Sequence, residues 1–240
     1  MKKGLIAITG ASSGIGKAIA LKFAKEGYPV LLMARRVEEM QALKLENCLV
    51  KKVDVTNADT ISAAIIEGEQ AFGPVECLIN NAGVMLLGDP GSQSPEEWQH
   101  MFDVNVKGLL NGVHAVLPAM KERKNGTVIN IGSVAGRKTL PGHAVYCGTK
   151  FAVHAMTENM RMELSAHDVR FITIAPGATE SELISHTTNE DIKSGYEDWK
   201  TDIGGAIRAE DVANSVYFAF SQPQNVCIRE IVLAPTRQEP

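Results

Sequence analysis

Seven short apolar runs, most of them rich in β-branched residues, recur along the whole chain with segments of helical periodicity between them. They are Leu5 to Ile8, Val30 to Ala34, Leu49 to Val53, Val75 to Asn80, Thr127 to Ile131, Arg170 to Ile174 and Glu230 to Leu233. Runs that are apolar throughout, rather than at every second residue, belong to strands covered on both faces, and strands alternating with helices belong to repeated βα units. The pattern predicts an α/β fold with one doubly wound parallel sheet and helices on both faces. The 240 residues read as one domain, 1–240, without repeat or linker, and suffice for one large core.

Helix boundaries are marked locally. Ile15 to Glu26 is expected to be a helix stopped by Gly27, with Pro29 holding the next segment extended. Ser94-Pro95-Glu96-Glu97 offers an N-cap serine, a proline in the first turn and a glutamate placed for a capping box. That helix is expected to run through Trp98, Met101, Phe102, Asn105, Leu109 and Val113, with Pro118 kinking it near its end. Further helices are expected from about Val145 to Ser165 and from Ala209 to Phe220. Residues 179–205 break the rhythm: they are polar and carry Gly195, Gly204 and Gly205. They are expected to form a substrate-covering loop with one or two short helices.

Bulk properties narrow the function class. A formal net charge of -4, with 22% charged and 45% hydrophobic residues, provides no basic surface for nucleic acid or an anionic membrane. Cys48, Cys77, Cys147 and Cys227 are dispersed without a C-x-x-C pair or clustered histidines, so neither a metal site nor a disulfide framework is expected. Met1-Lys2-Lys3 precedes an apolar run too short for a signal peptide, and no run approaches the roughly 20 residues that span a bilayer. A cytoplasmic protein with reduced thiols is expected.

The turn Thr9-Gly10-Ala11-Ser12-Ser13-Gly14-Ile15-Gly16 leaves the first strand and opens the first helix, where a pyrophosphate can approach unpaired N–H groups at the positive end of the helix dipole. A Walker A loop is excluded: Ala11 stands where its first glycine belongs, and Lys17 is followed by Ala18. Gly10-Ala11-Ser12-Ser13-Gly14 also fits a hydrolase nucleophile elbow, but too little chain precedes Ser12 for the strands and oxyanion loop of that fold. The second strand ends in Arg35 and Arg36, where NAD-binding proteins place an acid for the ribose 2′-hydroxyl. Two guanidiniums there suit a 2′-phosphate and predict NADP(H). Asp54 is placed to accept from an adenine amino group with Val55 against the ring, and Asn80-Asn81-Ala82-Gly83 ends the fourth strand in small residues.

Tyr146 and Lys150 stand four apart on one helix face, a spacing that sets a cation beside a phenol. A phenol titrating near 10 needs such help to act as an acid-base catalyst at neutral pH. Ser133, at the carboxyl end of the strand Thr127 to Ile131, faces the crevice in which open α/β sheets bind ligands and can hold a substrate oxygen. His143 is a further candidate for substrate contact.

With these pieces in order, the chain closely resembles the short-chain dehydrogenase/reductase family over nearly its full length. Thr9-Gly10-x-x-x-Gly14-x-Gly16, Asn80-Asn81-Ala82-Gly83, Asn105, Ser133, Tyr146-x-x-x-Lys150 and Pro176-Gly177 match the family pattern in order and spacing. The resemblance implies a Rossmann-type sheet of about seven strands in the order 3-2-1-4-5-6-7 and an oxidoreductase that interconverts an alcohol and a carbonyl. It implies that Asn105 anchors a water in a proton relay through Lys150. It implies that Pro176, Gly177, Ala178 and Thr179 line the nicotinamide, although Ser181 stands where the family often has threonine. It also implies a homotetramer or homodimer built on helices near Pro95 to Lys121 and Tyr146 to Ser165. Within the family, Ala34-Arg35-Arg36 and Pro235-Thr236-Arg237-Gln238 resemble an NADP-dependent branch that oxidises 3-hydroxy acids such as serine. The reading from another class is a catalytically silent NADP(H)-sensing regulatory protein. Such relatives normally lose the tyrosine or the lysine, and this chain keeps both.

Overall fold

A computed structural model describes residues 3–239; Met1 and Lys2 of the leader-like start, and Pro240, lie outside the described residues. The seven apolar runs form β1 (Leu5–Thr9), β2 (Val30–Ala34), β3 (Cys48–Lys52), β4 (Val75–Asn80), β5 (Gly126–Ile131), β6 (Val169–Pro176) and β7 (Glu230–Leu233). They pair in parallel in one sheet of order β3-β2-β1-β4-β5-β6-β7, the Rossmann-type doubly wound arrangement expected. β1, β2, β4, β5 and β6 are buried on nearly every residue, which is why they read as unbroken apolar runs.

The crossovers are α1 (Gly14–Lys25), α2 (Val37–Gln41), α3 (Ala58–Phe72), α4 (Pro95–Phe102), α5 (Gly108–Glu122) and α6 (Ala144–Glu163), followed by α7 (Glu190–Asp202) and α8 (Ala209–Phe220). On one face of the sheet α1 and α8 pack around Phe23, whose ring meets Tyr28, Tyr217 and Phe220 edge-on at 5.3–5.6 Å between centroids. On the other face α3, α5 and α6 close over Leu5, Leu31, Leu78, Val128 and Phe171. Each face therefore has its own apolar layer.

Two differences from the sequence reading follow from tertiary contacts. The long helix expected from Pro95 onward is divided: α4 passes through a wide π turn at Asp103–Lys107 before α5 begins, and Pro118 lies inside α5. α3, capped at its start by Asn57 and ended by Gly73, supplies the crossover from β3 to β4. Its interior Gly68 brings it onto the sheet, where a Cβ would come within 2.9 Å of Leu31. The start of α4 is as expected at Ser94, which caps Glu97 N at 3.3 Å, but the Glu97 carboxylate accepts from Thr188 at 3.0 Å. Among the described residues no helix is long and apolar enough to cross a membrane.

Candidate active site

The strand order reverses between β1 and β4, and the turns leaving those two strands meet there. Gly10 at φ +64 and Gly14 at φ +50 occupy the left-handed region that glycine enters without strain. Gly16 is needed for closeness: a Cβ there would run into the Gly10 carbonyl and the Asn81 amide. Asn81 locks the turn from the end of β4, donating from Nδ2 to the carbonyls of Thr9 at 3.0 Å and Gly10 at 3.1 Å. In return the backbone N–H groups of Asn81 and Ala82 donate to Thr9 Oγ1 at 3.0 and 3.1 Å. No side chain caps α1 and its first turn holds no acid, so its N-terminal N–H groups and dipole suit an anion.

At the end of β2, Arg36 folds back over this turn. It donates to Ser13 Oγ at 2.7 Å and Ser12 Oγ at 3.3 Å, and pairs with Glu182 at 2.9 Å. An anion is therefore already held where the two-arginine strand end was expected to hold a phosphate. Arg35, Asp54 and Val55 lie on the same wall. Thr56 donates to the Asp54 carboxylate from its N–H at 2.9 Å and its hydroxyl at 2.8 Å, which keeps that carboxyl below its ordinary range.

The other end of the cleft is built by α6 and the segment after β5. Tyr146 is 5% exposed and Lys150 7%. The Ser133 hydroxyl, near enough to the Tyr146 phenol to favour its ionised form, accepts from Ala135 N at 3.1 Å. Lys150 Nζ donates to the Ile131 carbonyl at 2.9 Å and lies 5.8 Å from the Tyr146 ring centre. Burial pushes the phenol well above its ordinary value, the Ser133 hydroxyl opposing, while burial brings Lys150 down to about 8. The dominant influence on Tyr146 is thus its enclosure rather than the neighbouring cation.

Asn105 sits in the π turn, 3% exposed. Its amide clasps Val84, donating to the carbonyl at 2.9 Å and accepting from the N–H at 2.8 Å, and donates to Thr149 Oγ1 at 3.1 Å. Gly83 fits between it and the lysine: a Cβ there would lie 3.3 Å from Asn105 Oδ1 and 3.9 Å from Lys150 Nζ. His143 lies at the N-terminus of α6, its ring 6.4 Å from that of Tyr146 and its Nδ1 2.7 Å from the Pro141 carbonyl.

Pro176, Gly177, Ala178 and Thr179 line the cleft between these two ends. The tail holds them in place, since Ala178 N donates to Gln238 Oε1 at 2.8 Å. Residues 179–205 form a cover containing a 3₁₀ turn at Leu183–His186 and then α7. It is pinned by Thr187, 1% exposed, which accepts from Leu87 N at 3.1 Å and donates to the Met85 carbonyl at 3.2 Å. Tyr196 and Trp199 of α7, their rings 5.3 Å apart, face the cleft.

These groups line one cleft of about 1170 Å³ that runs from Gly10 to Gln238. Of the residues singled out in the sequence, Gly10, Ser12, Ser13, Gly14, Ile15, Arg35, Arg36, Asp54, Val55, Asn81, Ala82, Gly83, Ser133, His143, Tyr146, Lys150 and Pro176 to Thr179 line it. Gly16 and Asn105 instead stand directly behind its wall. The sequence carried no mark for Glu182, Thr187 or Tyr196. Gln238 stood out only as part of a tail motif.

Residues 4–192 match the family model described as short chain dehydrogenase. An uncharacterised oxidoreductase of Staphylococcus saprophyticus is 36% identical, over 99% of this chain and 98% of its own. Among solved structures, the closed form of a serine dehydrogenase complexed with NADP+ superposes with a TM-score of 0.92 at 32% identity, over 98% of this chain and 96% of its own. An alcohol dehydrogenase from the archaeon Thermococcus sibiricus, complexed with 5-hydroxy-NADP, has a TM-score of 0.86 at 26% identity over 99% of both chains.

Proposed function

The chain belongs to the short-chain dehydrogenase family, and on that premise we propose that it interconverts an alcohol and a carbonyl with NADP(H), using Tyr146, Ser133 and Lys150. The observation that carries this reading is that Ser133, Tyr146 and Lys150, all buried, line the same cleft as the glycine turn at the start of α1.

The residues at the nucleotide end fit the cofactor. A cradle that a Cβ at Gly16 would fill and an uncapped helix start suit a pyrophosphate. Arg36 with Ser12 and Ser13 already holds a carboxylate, and a 2′-phosphate offers the same sign of charge with more acceptor oxygens. NADP(H), when bound, supplies the hydride acceptor or donor. In the reductive direction Ser133 holds the carbonyl oxygen and Tyr146 gives it the phenolic proton; in the oxidative direction the phenolate takes the hydroxyl proton back. Lys150 is the cation that balances that phenolate, and the positive charge of an oxidised nicotinamide adds to it. Asn105 we assign to the relay behind Lys150, which it meets across Gly83.

A 3-hydroxy acid is the substrate class we place first, supported by the likeness to serine dehydrogenase. His143 flanks the reacting pair, and Arg237, packed against Gly204 on the cleft wall, is a cation for a carboxylate. We place the protein in the cytoplasm as a homodimer or homotetramer: its four cysteines are free, and burial pushes the Cys48 thiol up to about 11.

The test is a panel of 3-hydroxy acids, sugars, aldehydes and ketones with NADP+ or NADPH, followed by nicotinamide absorbance. Tyr146→Phe is expected to lower turnover by roughly 10²- to 10⁴-fold while leaving NADPH affinity unchanged. Undiminished turnover in that variant would overturn the mechanism. NADPH binding by a wild type that turns over no member of the panel would move the chain to the sensor class.

A further inference from the structure

The segment that carries Ser133 is wrapped around an imidazole. His154 lies on α6, four residues past Lys150 and eight past Tyr146, so it shares their side of the helix. Its Nε2 accepts from the backbone N–H of Ser133 at 3.3 Å, and its Nδ1 lies 3.2 Å from Glu230 on β7. The other oxygen of Glu230 is paired with Arg137, which follows Ser133 in the same segment. Gly132 and Gly136 press on the ring from either side of Ser133. A Cβ on Gly132 would come within 2.8 Å of His154 Cδ2, and one on Gly136 within 2.6 Å of the ring. A side chain at either position would lift the segment off the histidine.

These contacts fix where the proton sits. A nitrogen that faces an N–H must present its lone pair, so in the neutral ring Nε2 is bare and Nδ1 carries the hydrogen. A doubly protonated ring would set one N–H against another. The charged groups around the ring are Lys150 on its own helix, Arg137 on the Ser133 segment and Glu230 on β7. Burial, aided by the two cations, brings the imidazole down to about 4, consistent with the neutral form. The main chain needs this partner: Gly132 N makes the last bond of the β5 edge, to Ile174 O at 2.7 Å, and Ser133 is the next residue.

We infer that His154 is a positioning residue for the reaction: by accepting from the N–H of Ser133 it holds that peptide, and so aims the hydroxyl toward Tyr146. The inference rests on Ser133 and Tyr146 being the reacting pair, but the tautomer can be measured without any turnover.

Two measurements test it. In the full chain labelled with ¹⁵N-histidine, the resonance missing from His154→Gln identifies His154 among the six histidines. It is expected to show the neutral Nδ1–H form at neutral pH and to titrate only as the pH approaches 4. The Nε2–H tautomer, or titration near the ordinary value of about 6.5, would overturn the inference. The second measurement is steady-state reduction of 2,3-butanedione with NADPH. His154→Leu is expected to lower kcat roughly 10- to 100-fold, as a misplaced reacting group does, with NADPH affinity unchanged. His154→Gln, whose amide can accept from Ser133 and donate to Glu230, is expected to recover most of that loss. In a Ser133→Ala background His154→Leu is expected to cost nothing further. An equal loss in that background, weakened NADPH binding in parallel, or unchanged kcat in His154→Leu would each refute the positioning role. A wild type that leaves 2,3-butanedione and the wider panel unreduced counts against the oxidoreductase reading, while the histidine spectrum still decides the tautomer.

Discussion

At the scale of single residues, the cofactor end turns on Arg36, which grips Ser12, Ser13 and the Glu182 carboxylate together. A 2′-phosphate entering there exchanges one anion for another, and the guanidinium keeps the same donors. Arg36→Ala is therefore expected to weaken NADPH binding by roughly 10- to 100-fold, the worth of about 1.5–3 kcal/mol for hydrogen bonds to a charged group. NADH binding should hardly change. Fluorescence titration of both nucleotides against wild type and variant checks this, and equal wild-type affinity for the two would sink the 2′-phosphate argument. The arginine pair was legible in the sequence because it occupies a fixed place, the end of the second strand. Glu182 was not, because it arrives from 146 positions away and only the folded cover brings it there. The same division holds at the other end of the cleft: Tyr146 and Lys150 share a helix and could be read from spacing, whereas His154 acquires meaning only when β5 and β7 converge on its ring.

At the scale of elements, the five inner strands were legible because burial on both faces leaves mostly apolar residues in them, while the half-exposed edge strands β3 and β7 still show short apolar runs. The division of the long helix after α4 was not. The π turn at Asp103–Lys107 carries Asn105, whose side-chain amide bonds Val84 and Thr149, and neither partner is near in sequence. A second element-level device joins β6 to α8. Arg170, paired in register with Thr127, donates to that hydroxyl at 2.8 and 3.1 Å and to the carbonyls of Phe220 at 2.9 Å, Gln222 at 3.0 Å and Val226 at 3.2 Å. The buried cation is thus held by oxygen dipoles that end α8 and shape the path to β7. Arg170→Leu strands those carbonyls and is expected to cost on the order of 3 kcal/mol. That corresponds to a fall of about 6–12 °C in Tm by calorimetry. A Tm within a degree of wild type would show that water replaces the guanidinium without penalty.

At the scale of the whole molecule, the described surface leaves apolar side chains on the two helices expected at a subunit contact: Phe102 and Leu110 on α4 and α5, Phe151 and Met162 on α6, each 41–54% exposed. The proposed assembly would cover these side chains, although Leu21, Ile66, Phe218, Val226 and Val232 are exposed as well. The protein is expected to sediment as a dimer or tetramer, and Leu110→Asp with Phe151→Asp to yield monomer; a wild type that sediments as monomer at micromolar concentration would refute this. By itself the sequence determined which segments are strands, that they run parallel, that a glycine-rich turn opens the first helix, that a hydroxyl follows the fifth strand, and that a phenol and an amine share one helix face. Those properties depend on neighbours a few residues apart and on burial, which composition records directly. Tertiary structure alone decided that Asn81 clamps the glycine turn, that Thr187 pins the cover to Met85 and Leu87, that Gln238 holds the segment after β6, and that His154 stands behind Ser133. Each of these is a hydrogen bond between residues far apart in the chain, whose energy depends on distance and angle, and a linear sequence fixes neither until the sheet has closed.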